Sequence, residues 1–493
     1  MAGEGSFQTG AEAACLANAS QPVPIVASVL AKEHRGLSPD GSLAGSAIGM
    51  GLPLTRRQML AALPVTLASA QSLLAQGAQF DFDCIVIGAG ASGIAAAHAL
   101  RRQGKRCVVL EARARVGGRI FTDRSLGEPY DAGAFYIHWG EKNPWLEIAK
   151  KAGANPVYYE DVPQGDRRSY DRGNPPAPEG AGKAWAEAQQ KFEGPDVPDV
   201  SLIEYAERLN PLSRDRALLT ARLALGEEGE RVSALDYARL WSGYDYLVKG
   251  GFGSAVAWHA KGLNIRLATP VTEIDWSGAG VRVTTPKGVL TAAKVIITVS
   301  VGVLKAGAIR FYPELPKINR DGLSGLEMGA STRAALKFNG ERFDLKPNSN
   351  LRLRFSERAL LSYGCFAFDR NIVTCYFGGD HARGIIGMGE KDALQYLLSQ
   401  FASLAGSKAK KAYVDGRLNG WWADPLTRGG YSHAKPGQAN ARFKLATPVG
   451  ERIYFAGEAV GCSHKGGDAG CAITAGGAFM SGEKAAEMAF KAK

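Results

Sequence analysis

Three glycines, Gly88, Gly90 and Gly93, follow the apolar run CIVIG and open the segment ASGIAAAHALRRQGK. The spacing G-x-G-x-x-G between a strand-like run and a helix-like run is that of a turn that carries phosphates. Gly88 suits the tight turn, Gly90 lets the backbone approach a pyrophosphate, and Gly93 lets helix and strand pack closely. The helix amino terminus, Ser92 included, would aim free N–H groups at those phosphates. The next apolar run, RCVVLEA, ends at Glu111, 18 residues past Gly93, where a carboxylate can accept hydrogen bonds from a ribose. The chemistry these residues could serve is dinucleotide binding.

The elements that must position them are read from pattern. CIVIGAG is a buried strand, the alanine-rich segment is a helix ending near Gly104, and RCVVLEA is a second buried strand: one βαβ unit. The chain of 493 residues exceeds one usual core, so a second domain is expected. With 45% apolar and 22% charged residues the chain is not disordered throughout. The net charge of +11 is scattered, with no basic run interleaved with aromatics, so no nucleic-acid partner is expected. None of the seven cysteines forms a C-x-x-C, so no metal site is implied. Cys84 and Cys107 lie on strand-like runs. Cys462 and Cys471 are read as unpaired, a bridge between them being the alternative in an oxidising compartment.

Arg56 and Arg57 precede a stretch without charge from Gln58 to Phe80. The stretch is too weakly apolar for a stable membrane span but suits a signal h-region. Residues 50–76 therefore resemble a twin-arginine export signal, with cleavage after Ala70, Ala75 or nearby, and a periplasmic location follows. Residues 1–49 are then expected to be a non-native extension ahead of a true start at Met50.

The stretch EARARVGGRIFTDRSLGEPYDAGAFYIHW separates FAD from a nicotinamide. Arg113, Gly117, Gly118 and Arg119 directly after the second strand resemble the extended signature of the two-dinucleotide-binding-domain flavoproteins. Gly133, Ala134 and Phe135 resemble the block that passes beside the flavin. Three further segments are similar to those of the flavin-containing amine oxidases: GGFGSAVAWHAKGLNIRLATPVTEI, WWADPLTRGGYSHAKPG, and RIYFAGEAVGCSHKGGDAGCAITAGGAFMSGEKAA. In them Val271 would meet the adenine, and Gly457 and Glu458 the ribityl and pyrophosphate end. The resemblance runs from about Phe80 to the carboxyl end.

The resemblance implies an α/β fold: a Rossmann-like FAD-binding domain with a discontinuous α+β substrate domain. The FAD domain would use 80–140, 247–305 and 425–490. The substrate domain would use 141–246 and 306–424, with a helical cap over 183–240 and strands near 333–338, 351–355 and 372–377. The implied activity is FAD-dependent oxidation of a small-molecule amine at the carbon next to nitrogen. The imine then hydrolyses to an aldehyde, and electrons pass to O2 or to a periplasmic acceptor. A homodimer is compatible with it.

Three site positions depart from the family pattern. The family brackets the amine between two aromatic rings; Tyr431 matches one, and Asp468 or Gly467 stands at the other. Asp468 could pair with a cationic substrate or cap the closing helix. Where many members hold a lysine near the flavin, Arg333 stands, a non-conservative exchange that puts oxygen chemistry in doubt. Where some members attach FAD through cysteine, Gly430 stands, so non-covalent FAD is expected. Tyr431, Arg333 and Asp468 are the candidate catalytic residues, and His138, His433 and His464 are expected to be structural. Two alternatives remain: an L-amino-acid oxidase, with Arg222, Arg239, Arg352 or Arg354 holding the carboxylate, and a non-catalytic FAD-binding assembly protein.

Overall fold

The apolar run after Phe80 forms strand β1 (Phe82–Ile87), followed by helix α1 (Ala91–Arg102) and strand β2 (Cys107–Leu110). The computed structural model describes residues 80–463 and 470–491. The expected export signal at 50–76 and the extension at 1–49 lie outside the described residues, as do Asp468 and His464. β1 and β2 run parallel with Cys84 opposite Cys107, and both strands are buried, as continuous apolar strands of a parallel sheet are.

The chain next forms strand β3 (Arg167–Asp171) and the helices α2 (Ala181–Phe192), α3 (Leu202–Leu209) and α4 (Arg214–Thr220). α4 continues into a π-helical turn over Ala221–Leu225. Ser201 caps α3 by accepting from the Glu204 amide at 3.1 Å. Trp185, Phe192, Leu202, Leu218 and Leu225 pack into one small core, so the helix-rich stretch does form a compact helical layer.

Strands β4 (Ile265–Arg266), β5 (Glu273–Asp275), β6 (Val281–Thr285), β7 (Gly288–Ile297) and β8 (Arg310–Tyr312) return to the first sheet. Its order is β8–β5–β6–β7–β1–β2–β4. A second sheet collects β9 (Thr332–Phe338), β10 (Ser349–Ser356), β11 (Ala359–Cys365), β12 (Ile372–Phe377) and, past helix α5 (Glu390–Ala405), β13 (Tyr413–Asn419). Its order is β13–β9–β12–β11–β10–β3, antiparallel except for β10 and β3. Leu336, Leu351, Leu361 and Val373 pack from this sheet against Leu397 and Phe401 of α5. The three strands expected of this region are all present: those near 333–338 and 351–355 run longer, as Thr332–Phe338 and Ser349–Ser356, and the third spans 372–377 as expected.

Near the carboxyl end strand β14 (Ile453–Phe455) joins the first sheet beside β7, and helix α6 (Ala475–Phe490) closes the chain. Small residues bring α6 against α1: Ala485, Ala486 and Ala489 pack with Ala96, Ala97 and Ala99. Gly482 is required there, because a Cβ on it would lie 2.0 Å from the Ser92 carbonyl oxygen. No described helix is long and apolar enough to cross a membrane.

Two sequence expectations are corrected here. Cys462 and Cys471 are joined in a disulfide, their Cα atoms 5.7 Å apart, rather than unpaired. Sequence cannot show that approach, because the spacing of two cysteines does not fix how the backbone brings them together. The cap of α6 is Thr474, whose side chain accepts from the Gly477 amide at 2.9 Å, so capping this helix is not the task of Asp468.

Candidate active site

Gly88 turns the chain out of β1 with φ of +102°, and its N–H donates to the Leu110 carbonyl at 2.8 Å. Gly90 precedes α1, and a Cβ on it would meet nothing within 4 Å, so its backbone faces open space. The first helical N–H groups have no intrahelical acceptor. Ser92 Oγ is buried beside them without a hydrogen-bond partner. Gly93 is the packing glycine: a Cβ there would lie 1.8 Å from the Gly88 carbonyl oxygen.

The second glycine pair docks onto this turn. The Gly117 amide donates to the Ala89 carbonyl at 2.8 Å, and a Cβ on Gly118 would stand 3.4 Å from Gly90 Cα. Glu111 is buried at the end of β2 and accepts from the amides of Ala89 (2.7 Å) and Arg113 (2.8 Å). The Arg113 guanidinium meets Asp424 at 2.6 Å. Arg119 donates to the Gly430 carbonyl at 2.7 Å and pairs with Glu458 at 3.0 Å. The other Glu458 oxygen accepts from the amide and hydroxyl of Ser432.

Most of these groups border one cleft with a volume of about 350 Å³. Gly88, Gly90, Ser92, Glu111, Arg113, Gly117, Gly118, Arg119 and Val271 line one part of it. Gly133, Ala134, Phe135, Arg333, Tyr431, Gly457 and Glu458 line the rest. Gly93 stands behind the wall, as its packing role requires. The cleft thus brings together every described candidate residue but that one. The open backbone at Gly90, the orphan Ser92 hydroxyl and the ribose-ready Glu111 fit a dinucleotide.

At the far end Tyr431 is not alone. Its hydroxyl shares hydrogen bonds with Ser331 Oγ at 2.8 Å and with the Tyr376 hydroxyl, and Ser331 Oγ donates to Tyr376 at 2.6 Å. Tyr376 also donates to the Leu223 carbonyl at 2.8 Å, in the π-helical turn. Burial holds the Tyr431 hydroxyl well above the ordinary tyrosine range, so it stays protonated. The Arg333 guanidinium lies 3.6 Å from the centroid of Phe135 and 5.8 Å from that of Tyr376, and donates to the Asp131 carbonyl at 3.0 Å. Sequence reading missed Tyr376, Ser331 and Trp421. Tyr376 sits in the strand IVTCYF, where only the alternation of exposed and buried faces was legible.

Two of the three candidate histidines lie among the described residues. His138 borders the cleft but pairs through Nδ1 with Asp245 at 3.0 Å, and His433 is buried in a short strand pairing opposite Glu327. None of Arg222, Arg239, Arg352 or Arg354 lines the cleft. Arg222 is buried against Glu228, Arg354 is paired with Asp171 and Asp215, and Arg239 donates to the Ala439 carbonyl.

A two-layer sheet architecture with a dinucleotide cleft and a tyrosine-lined far end defines a nucleotide-cofactor oxidoreductase. Residues 168–488 match the family described as flavin-containing amine oxidoreductase, and residues 86–152 match an NAD(P)-binding Rossmann-like domain. The chain belongs to the flavin-containing amine oxidoreductase family. Polyamine oxidase 4 of Oryza sativa subsp. japonica is 31% identical over 447 residues, covering 82% of this chain and 87% of that protein. The probable polyamine oxidase 4 of Arabidopsis thaliana is 29% identical over 446 residues, covering 82% and 86%. A solved putrescine oxidase variant with redesigned cofactor binding superposes with a TM-score of 0.67 at 20% identity, over 82% of this chain and 98% of that one. The protein is a flavin-dependent amine oxidoreductase with a Rossmann-like domain, and its cofactor is FAD.

Proposed function

We propose that this chain oxidises a small-molecule amine at the carbon next to nitrogen, with an aldehyde and a freed amine as products after imine hydrolysis. The observation that carries the reading is the Ser331–Tyr376–Tyr431 hydroxyl cluster at the far end of the dinucleotide cleft. FAD supplies the hydride-accepting chemistry when bound. Residues 80–140, 247–305 and 425–490 would carry it. Gly88, Gly90, Ser92 and Gly117–Arg119 hold the pyrophosphate, Glu111 the ribose, Val271 the adenine, and Gly133–Phe135, Gly457 and Glu458 the remainder. Residues 141–246 and 306–424 carry the amine. The hydroxyls of Tyr431 and Tyr376 orient the nitrogen, and being held protonated Tyr431 is a hydrogen-bond partner rather than a base. The rings of Phe135, Tyr376 and Trp421 exclude water from the reacting carbon.

Arg333 bears on the acceptor. A guanidinium keeps its proton where an ammonium could release one, which favours transfer to an acceptor other than O2. The FAD is non-covalent: Gly430 offers no side chain, and none of the four free cysteines among the described residues lines the cleft. Acid precipitation that leaves the flavin on the protein would overturn this. Export to the periplasm is supported by the twin arginines and by the Cys462–Cys471 bridge, which persists in an oxidising compartment.

The test is anaerobic mixing of the purified holoprotein with mono-, di- and polyamines and amino acids while visible absorbance is followed. Bleaching by an amine is expected. Bleaching by amino acids alone would favour the amino-acid oxidase, and none at all the non-catalytic alternative. Admitting air to the bleached protein then reads the acceptor.

A further inference from the structure

The hydroxyl cluster at the amine end makes more contacts than it has protons. Ser331 Oγ, Tyr376 Oη and Tyr431 Oη meet one another in three pairs, and Tyr376 makes a fourth contact, with the Leu223 carbonyl at 2.8 Å. A carbonyl has no hydrogen to give, so the Tyr376 proton goes to Leu223. The proton between the two tyrosine oxygens is then the one on Tyr431. The serine proton falls on one of those same oxygens. Three hydroxyls bring three protons to four contacts, and none is left for the cleft that all three residues line. What the cluster turns to a ligand is lone pairs. The acceptor that sets this direction is built into the backbone. Leu223 lies in the π-helical turn that ends at Gly226, φ +65°, where carbonyls run out of intrahelical donors. A Cβ on Gly226 would lie 2.7 Å from the Ser331 amide nitrogen, so turn and cluster are packed together.

We infer that Tyr376 is a positioning residue that draws the Tyr431 proton away from the cleft, so that the substrate nitrogen must donate to Tyr431 and must carry an N–H while neutral. The inference rests on the amine-oxidising reading above and narrows its substrate class to primary and secondary amines. An amine that donates its N–H keeps its lone pair free to assist loss of hydride from the neighbouring carbon. A hydroxyl that donated to the nitrogen would tie up that same pair. A neutral tertiary amine has no N–H and leaves the buried acceptor unmatched.

The experiment uses the holoprotein and two pairs of isomers that differ in the N–H: N-ethylbutylamine against N,N-dimethylbutylamine, and N-ethylbenzylamine against N,N-dimethylbenzylamine. Limiting rates of anaerobic flavin bleaching at saturating amine are compared. The secondary isomer of each pair is expected to be faster by about tenfold, the effect of one buried hydrogen bond. The same loss is expected when the last N–H of any better substrate is replaced by methyl. Two variants, each lacking one hydroxyl, separate proton direction from packing. In Ser331→Ala two protons meet two contacts, Tyr431 to Tyr376 and Tyr376 to Leu223, so the ratio should persist whatever the rate. In Tyr376→Phe two protons meet one contact, a hydroxyl is free to donate to a tertiary amine, and the ratio should fall toward unity. Equal rates within the pairs in the unmodified protein, or a tertiary amine as the best substrate, would overturn the inference while leaving amine oxidation standing. A ratio that survives in Tyr376→Phe would overturn it too, since exclusion by shape alone would then account for the preference. Bleaching by no amine at all would remove the amine-oxidising reading and the inference with it. The comparison within the unmodified protein does not depend on either variant folding.

Discussion

Nη1 of Arg119 lies 3.0 Å from Oε1 of Glu458, across 339 positions of sequence. The contact ties the second glycine block to the segment that enters the closing helix, and both residues border the cleft. Glu458 also accepts from the Ser432 amide and hydroxyl. Glu458→Ala would strip partners from a half-buried guanidinium and a buried amide at once. Its expected cost is about 3 kcal/mol of stability, measured by denaturant unfolding of the apoprotein, with reduced flavin content on purification.

Two glycines of one motif should respond oppositely to the same methyl group. Gly93→Ala places its Cβ on the Gly88 carbonyl and is expected to destabilise the apoprotein by about 2–3 kcal/mol. Gly90 has φ of −79° and open space where its Cβ would go, so Gly90→Ala should fold with a change within about 0.5 kcal/mol. The methyl would instead stand where the cofactor backbone must approach, and flavin binding should weaken. Titration of the two apoproteins with FAD beside their thermal melts separates the outcomes. Normal flavin affinity in Gly90→Ala would refute the assignment.

The Cys462–Cys471 bridge closes a short loop, with a sequence separation of 9. Loop-closure entropy puts its contribution near 2–3 kcal/mol. Cys462→Ser and Cys471→Ser should each lose that amount, and the double variant no more than either single one. Thiol reduction should lower the melting temperature of the unmodified protein and leave that of the double variant unchanged.

His433 is buried without a partner at Nδ1, and burial pushes its imidazole down to about 4 from an ordinary 6.5. Above pH 6.5 folded and unfolded chains both carry it neutral. Between pH 6.5 and 4 the unfolded chain takes up a proton that the folded one refuses, so this residue's contribution falls as pH falls, by about 3 kcal/mol at the lower limit. Asp131 works in the opposite sense: its carboxyl is pushed up to about 6 by burial, so the folded chain binds that proton more tightly. His433→Gln should therefore flatten the acid limb of the stability curve. Parallel curves for the two proteins from pH 7 to 4 would show that the imidazole is not shielded.

The nucleotide half of the cleft was legible because its determinants are local. Gly88, Gly90, Gly93 and Glu111 lie within one βαβ unit, and each glycine has a steric reason visible in the spacing. The helices of the 183–240 stretch and the strands of the second sheet were expected from the resemblance, the helices also from a local richness in helix formers. The amine end was not legible. Tyr376 meets Tyr431 across 55 positions and Ser331 meets Tyr431 across 100, and neither serine nor tyrosine announces such a partner in its own strand. Arg333 was identified, but its aromatic bracket depends on Phe135 arriving from the loop before Tyr136 and Tyr376 from β12. The disulfide was misread because two cysteines on a glycine-rich loop carry no signal of their approach.

The strand at Ile453–Phe455 pairs with β7 and leads into Glu458 and the helix that packs on α1. The cleft therefore lacks a wall until the segment from Ile453 onward has been made. The glycine turn made early in synthesis has to wait for that later segment before it can hold its ligand, so cofactor uptake follows its synthesis. A chain that lacks this segment would keep the fingerprint motif and is expected to emerge colourless, so flavin colour in a purified preparation would report that the closing segment has folded.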